Sequence, residues 1–428
     1  MDSELSSMET FDVRESPAQR EIIRLRVREQ LQQRNLNGYV AFTPSNVTYL
    51  SGYVSYFLSN WWRMQGTAFV AMDAEGNRAP HLVLGDAEES SASSTVVGCE
   101  VFGYPMWVET RSYAAIQLPP DPEEKARPPQ WREEDLDRAL ETVLSKLGLL
   151  SGRVGTDLRF ITHSSFARLR RVAPEVEWVD VTDMMYQVRA VKQPFEVGRL
   201  RAAASLAEAG MTYAAETAKV GAALVDIRSY YHEGVAREVR TSARYSEFSD
   251  AWVICGLGHE SSIAAHGQPS ELTHGDLLKF DCGTTVEGYR SDSGRTFVMG
   301  KASAEAEKLY EDLLHAQSLA IEAIQPGAPA SAPYFAASEY MHKSGYPSYR
   351  RGHFGHSLGL DTFHEEPPFL APDDQTSLLA GMVLAVETPF YGSDLGPIMI
   401  EDLVLVTEAG PELITRLPRT LVSLRPDI

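Results

Sequence analysis

Apolar residues occur in short runs broken by polar, glycine- and proline-containing stretches, and the spacing inside the runs changes along the chain. From Glu21, the stretch IIRLRVREQLQQRN sets Ile22, Leu25, Val27 and Leu31 roughly at helical spacing and predicts a helix. GYVAFT, TAFVAM and HLVLG are short and apolar and predict strands, and Arg153–Asp157 reads as the end of another. TPSNVTYLSG reads as a loop because Pro, Ser and Asn punctuate it, and Leu118–Gln130 as a charged, proline-rich surface excursion. Short strands alternating with helices predict an α/β domain. The expected division is a polar tail over 1–20, an N-terminal α/β domain over 21–187 and a second domain over 188–428. Pro194 falls at the first turn of an alanine-rich helix that opens the second domain. Beyond it, AWVICG, DLLKFDCG, RTFVMG, MVLAVETP and PIMIEDLVLV follow one another at hairpin-type spacing with helical runs between, which predicts an α+β domain. No repeat of solenoid period is present.

Composition narrows the function classes. The 428 residues are 43% hydrophobic and 23% charged, a globular balance. With 39 Lys and Arg against 59 Asp and Glu, the formal charge of −20 disfavours nucleic acid and anionic membrane surfaces as partners. A salt-adapted proteome is another source of such a charge. The three cysteines, Cys99, Cys255 and Cys282, are too few and scattered for a disulfide framework. The polar, acidic N-terminal stretch reads as no targeting segment, and no apolar run reaches membrane-span length, so a cytoplasmic location is expected.

Four acids interrupt the apolar strands of the second domain. Asp281 and Asp292 lie symmetrically about a turn at Val286-Glu287-Gly288, so an antiparallel hairpin of that register sets them opposite one another. Glu387 and Glu401 lie symmetrically about Gly392–Gly396. Carboxylates facing one another among apolar side chains repel and lose hydration, and a cation between them removes both costs. A single pair is as readily a turn-flanking acid as a ligand; two pairs in one domain favour ligation. Three of the 11 histidines, His353, His356 and His364, cluster in YRRGHFGHSLGLDTFHEEPP. One imidazole with four carboxylates is a donor set for Mn, Fe, Co or Zn rather than for a thiolate zinc site, and the four negative charges balance two divalent ions.

The ordered set Asp281, Asp292, His356, Glu387, Glu401 resembles the pita-bread-fold metallohydrolases: methionine aminopeptidase, aminopeptidase P, prolidase and creatinase. The resemblance spans about 185–420. The part before it resembles the smaller creatinase-like domain of the same proteins, and Val188-Arg189-x-x-Lys192 resembles their interdomain signature. The resemblance implies two divalent ions, Mn foremost with Co, Fe or Zn as alternatives, held by Asp281, Asp292, His356, Glu387 and Glu401. It implies that Asp292 and Glu401 bridge the ions and that Glu387 also moves the proton of the attacking water. His266 and His364 would act at the substrate; His364 follows His356 by eight residues where seven is the related spacing. A homodimer acting on small peptides or amino-acid derivatives is also implied.

The chain departs from the peptidase pattern in places. Met399 stands two residues before Glu401, where related peptidases carry Arg, and Glu387-Thr388-Pro389 replaces Glu-Pro-Gly. Gly355-His356-Ser357 has the creatinase form. Asn60–Gly66 resembles a creatinase segment that reaches a substrate carboxylate, which nominates Arg63 as a clamp with Trp62 beside it. Arg350, or its neighbour Arg351, is a second candidate cation, and His353 a further substrate contact. The bland alternatives are a surface Arg and interdomain packing for the tryptophans. The reading is therefore a metal-dependent hydrolase of the Xaa-Pro dipeptidase or aminopeptidase P type. The alternative is a specialised small-molecule C–N hydrolase or lyase on the same scaffold. A non-catalytic binding homologue fits poorly with a complete ligand set. Phosphate-binding glycine loops and a nucleophile elbow are absent, and Cys255 and Cys282 read as core residues.

Overall fold

The computed structural model describes residues 12–61, 64–119, 125–258, 271–361, 365–392 and 394–425. These residues form two compact units, one of Glu15–Val188 and the other of residues up to Arg14 together with Arg189 onward.

The first unit contains strands β1 (Gly38–Ala41), β2 (Phe69–Asp73), β3 (His81–Gly85), β4 (Glu100–Tyr104), β5 (Ser151–Thr156) and β6 (Glu175–Asp180) in a mixed sheet of order β4-β3-β2-β1-β5-β6. Helices α1 (Pro17–Gln33), α2 (Pro44–Ser51), α3 (Tyr56–Asn60), α4 (Asp86–Thr95), α5 (Glu133–Leu147) and α6 (His163–Val172) accompany it, and α7 (Thr182–Ala190) leads out of it. α5 buries Leu136, Leu140, Val143 and Leu147 against Val40, Phe69 and Val83 of the sheet. Two expectations need correction. The first helix begins at Pro17, because the Ser16 side chain caps it and Gln19 closes a capping box, so the last residues of the expected tail are helical. TPSNVTYLSG is mostly helix rather than loop: Thr43 caps α2, Pro44 occupies its first turn and Gly52 ends it in a left-handed conformation. The same Pro, Ser and Asn that punctuate loops also start helices.

The second unit begins with α8 (Pro194–Thr217) and α9 (Leu224–Val239) and later adds α10 (Ala304–Glu322) and α11 (Ser331–Lys343). Its strands are β7 (Phe248–Leu257), β8 (Leu277–Val286), β9 (Tyr289–Arg290), β10 (Ser293–Met299), β11 (Gly355–Ser357), β12 (Glu366–Phe369), β13 (Val383–Glu387), β14 (Phe390–Tyr391), β15 (Pro397–Ile398), β16 (Glu401–Thr407), β17 (Gly410–Leu413) and β18 (Val422–Leu424). The main sheet runs β12-β11-β13-β16-β10-β8-β7, with β17, β18 and β9 paired at its margins. β8 sends Leu278, Phe280 and Cys282 into a core with Leu206 of α8 and Tyr231 of α9. β13 and β16 send Leu384, Val386, Val404 and Val406 into a core with Leu309 and Leu313 of α10. Strand side chains alternate, so Asp281, Glu387 and Glu401 point to the face that these helices leave uncovered. The described helices include none long and apolar enough to cross a membrane.

The β8–β9 hairpin differs from its expected register. Its turn is the two-residue Glu287-Gly288, with φ of 49° and 82°. Two successive positive φ values make a turn whose twist matches the strands, and that turn dictates the pairing. Asp281 therefore lies opposite Gly294, not Asp292. A slip of two residues keeps every side chain on its original face, so both acids still serve the same side of the sheet.

Candidate metal centre

The sheet register gathers the acids in one row. Asp281 pairs with Gly294, Gly294 with Glu401, and Glu401 with Glu387, across β8, β10, β16 and β13. Directly paired residues share a face, so three carboxylates line up around a glycine. A Cβ at Gly294 would lie 3.4 Å from Glu401 Oε2, 2.9 Å from Phe280 O and 2.3 Å from Met399 Cγ. Glycine is thus required where the carboxylates converge. β11 pairs with β13 and brings in His356, two rungs from Glu387.

Asp292, His356 and Glu401 can each offer a ligand atom so that all lie within 4.8 Å of one another, and all three are buried. His356 Nδ1 is 2.8 Å from Ser357 O. A carbonyl only accepts, so Nδ1 carries the hydrogen and Nε2 offers its lone pair. Nε2 lies 3.6 Å from Asp292 Oδ2. Two acceptors face each other there, as they would across a cation. Burial holds His356 below the ordinary imidazole range, which keeps it neutral and ligand-competent. Burial, then the charge of Asp281, pushes Asp292 well above the usual carboxylate range. Burial, then Asp292, does the same to Glu401. Burial raises Glu387 against the opposing charges of Arg351 and His356. Neutral imidazole among desolvated carboxylates is a donor set that fits a divalent ion.

These shifts fix a sign. In the unfolded chain Asp292, Glu387 and Glu401 ionise in the ordinary range, whereas in the metal-free fold these three keep protons to higher pH. The metal-free fold therefore loses stability as pH rises above that range. A divalent ion replaces the protons and relieves the repulsion, so its binding strengthens with pH. The rise in melting temperature on adding Mn²⁺ is expected to be larger at about pH 8 than at about pH 6. Differential scanning calorimetry with and without the ion checks this, and an equal or smaller rise at the higher pH contradicts it.

Two ion-pair networks brace the row from behind. Asp402, 0% exposed and next to Glu401, receives Arg295, Arg419 (3.1 Å), Thr415 (2.5 Å) and Gln317 (3.1 Å). Arg295 also donates to the carbonyls of Gly294 (2.8 Å) and Glu401 (2.7 Å), clamping β10 to β16 at the row. Beside His356, Ser357 pairs with Glu366, and Lys192 Nζ donates to Ser357 Oγ at 3.2 Å. Arg189 meets Glu366 at 3.4 Å.

Of the other predicted residues, His353 is half-buried, with Nδ1 3.5 Å from Glu387 Oε1 and accepting from Gly355 N at 3.3 Å. Burial, then Arg351, lowers its pKa, so it stands as a neutral imidazole beside the acid row. Arg350 is exposed, whereas Arg351 donates to Glu387 Oε1 at 2.5 Å. Trp62, Arg63, His266 and His364 lie outside the described residues. Lys279 and Tyr391 were not legible as site residues. Lys279 Nζ lies 3.1 Å from Asp281 Oδ2 and 5.2 Å from the centre of the Tyr391 ring. The signal available was position: Lys279 is two residues before Asp281, hence on its face. Burial pushes the Cys255 thiol up to about 12, and with Cys282 also raised and buried, neither is a nucleophile.

Residues 198–408 match the family described as Metallopeptidase family M24, and residues 24–191 match the Creatinase/Prolidase N-terminal domain. The chain is 30% identical over 270 residues to the Xaa-Pro dipeptidase of Pyrococcus furiosus, covering 61% of this chain and 73% of that protein. It is 29% identical over 287 residues to the putative dipeptidase YkvY of Bacillus subtilis, covering 67% and 77%. The structure of dipeptidase PepE from Mycobacterium ulcerans superposes with a TM-score of 0.74 at 23% identity, covering 96% of this chain and 100% of that one.

Proposed function

Because this chain belongs to metallopeptidase family M24 and carries the creatinase/prolidase N-terminal domain, we propose that it is a metal-dependent hydrolase of Xaa-Pro dipeptides. Metal-dependent peptide hydrolysis is the activity of its family; the Xaa-Pro preference is carried over from the relatives' names. The convergence of Asp292, His356 and Glu401 on one buried point is the observation that carries the reading.

Asp281, Asp292, His356, Glu387 and Glu401 would hold divalent ions, with Mn²⁺ the first choice for an oxygen-rich set with one nitrogen. Such an ion, when bound, polarises the scissile carbonyl and lowers the pKa of a water. The protein side of the work falls to the acids and their neighbours. Glu387 has an environment that raises its proton affinity, with Arg351 and His353 beside it, and it suits the transfer of a proton from water to the leaving amine. His353, held neutral, would orient the substrate. His266, His364, Arg63, Trp62 and Arg350 are retained as proposed substrate contacts on the strength of the resemblance. A homodimer and a cytoplasmic location are proposed likewise; the free thiols Cys99, Cys255 and Cys282 suit a reducing compartment.

The test is a substrate panel with enzyme reconstituted in Mn²⁺, Co²⁺, Fe²⁺ or Zn²⁺. Turnover of Xaa-Pro dipeptides at about 10 s⁻¹ or more, exceeding that of longer peptides, is expected. Inactivity toward every peptide, with turnover of N-acyl or guanidino acids, would replace this reading by the small-molecule one that Met399 and the Gly-His-Ser form suggest.

A further inference from the structure

A second group of charges lies beside His356. Lys192, Arg189 and Glu366 are all buried. Arg189 Nη2 is 3.4 Å from Glu366 Oε2, and Glu366 Oε1 accepts from Asp361 N at 2.9 Å. Burial disfavours charge on Glu366, yet Arg189 and then Lys192 hold it below the usual carboxylate range, so the group stays ionic. A Cβ at Gly359 would lie 3.3 Å from Glu366 Oε1 and 3.7 Å from Lys192 Cε, so the chain closes over the group where a side chain is missing. Holding such charges away from water is costly, and apolar residues of similar volume would often serve stability as well. Their value lies in what they orient.

Lys192 Nζ lies 3.2 Å from Ser357 Oγ on β11. An ammonium has no lone pair to offer, so the hydroxyl accepts there. Its one hydrogen is then directed to Val383 O on β13, 3.4 Å away. Ser357 is 0% exposed, so bulk water competes for neither bond. The serine thereby ties β11, which carries His356, to β13, which carries Glu387. The carbonyl of the same serine accepts from His356 Nδ1 at 2.8 Å, and a bond of that kind fixes the tautomer and the aim of a ligating imidazole. Hydroxyl and carbonyl belong to one residue, so a shift of Ser357 moves the acceptor that holds the ring.

We infer that Lys192 is a positioning residue for the metal centre, acting through Ser357 on His356. Its ammonium fixes the polarity of the Ser357 hydroxyl, and the hydroxyl fixes β11 against β13. The Ser357 carbonyl then holds His356 Nδ1 so that Nε2 faces Asp292. Glu366 and Glu196 offset the charge of the ammonium, and Arg189 braces Glu366. The inference rests on the metal centre proposed above.

The test is calorimetric titration of the metal-stripped full chain with Mn²⁺, with the visible spectrum of the Co²⁺-loaded protein as a second readout. Lys192→Met, close in shape but uncharged, should weaken Mn²⁺ binding by about 10- to 100-fold. The Co²⁺ bands should shift as well, because they report ligand geometry, which a general loss of stability leaves alone. Ser357→Ala should weaken binding by a similar factor, and it provides the readout should Lys192→Met fail to fold. Both substitutions act on one path, so the double variant should bind Mn²⁺ within about threefold of the weaker single variant. Multiplied losses in the double variant, a single variant that binds Mn²⁺ within about threefold of wild type, or unshifted Co²⁺ bands each overturn the inference and leave the metal centre intact. No Mn²⁺ binding by the wild-type chain overturns the metal centre itself and this inference with it.

Discussion

His356→Ala is expected to lower kcat/KM on an Xaa-Pro dipeptide by at least about a thousandfold and to abolish tight binding of an ion at the centre. His356 is the one nitrogen donor of the converging set. Its Nδ1 is committed to Ser357 O, so Nε2 is the atom turned toward Asp292. Alanine removes that atom, leaving two buried carboxylates, each already pushed upward, with less to bind a cation. Metal content by mass spectrometry separates the two readouts. A variant that keeps its ion and stays within about tenfold of wild-type activity would remove His356 from the centre. Stability should change little, because the β11–β13 pairing is made by the backbone.

Asp402→Ala is expected to have the largest effect on stability, a loss of about 3–5 kcal/mol. The carboxylate is fully buried and is the shared acceptor for Arg295, Arg419, Thr415 and Gln317. Its removal leaves Arg295, itself 2% exposed, as a buried charge without that partner. Unpaired interior charges are far costlier than the net worth of the pair they come from. Because Arg295 also holds the carbonyls of Gly294 and Glu401, metal affinity should fall with stability. Urea denaturation of the metal-free proteins measures the first effect, and a loss below about 1 kcal/mol would contradict this account of the network.

The acid row and its face were legible in the sequence because the strands are apolar and alternate with period two, so an acid inside one stands out and its side is calculable. The Glu387–Glu401 pairing followed from symmetry about the turn, and the observed register contains it. The same reasoning misjudged Asp281, since symmetry between two acids does not say where the turn is centred; the two-residue turn Glu287-Gly288, with both φ values positive, centres it one residue later than their midpoint. The pairing partner, Gly294, is invisible to a search for chemistry because its contribution is an absent side chain. Helix α2 was missed for a related reason: Pro and Ser punctuate and initiate alike, and which they do depends on burial of Val47 and Leu50. Lys279 was illegible as a partner of the site, and Arg351, nominated beside Arg350 as a cation for the substrate, was illegible as the partner of Glu387, because ion pairing is a property of the folded sheet. Met399 is 1% exposed and its side chain covers the space over Gly294, so the position where related peptidases carry Arg is filled here by a packing residue.

The central claim is that a divalent ion binds where Asp292, His356 and Glu401 converge. Anomalous diffraction from crystals grown with Mn²⁺, recorded on both sides of the manganese absorption edge, tests it most directly. The account predicts the strongest edge-dependent peak within coordination distance of His356 Nε2 and of carboxylate oxygens of Asp292 and Glu401. A strongest peak elsewhere, or none at this point in crystals of protein that binds Mn²⁺ in solution, would contradict it.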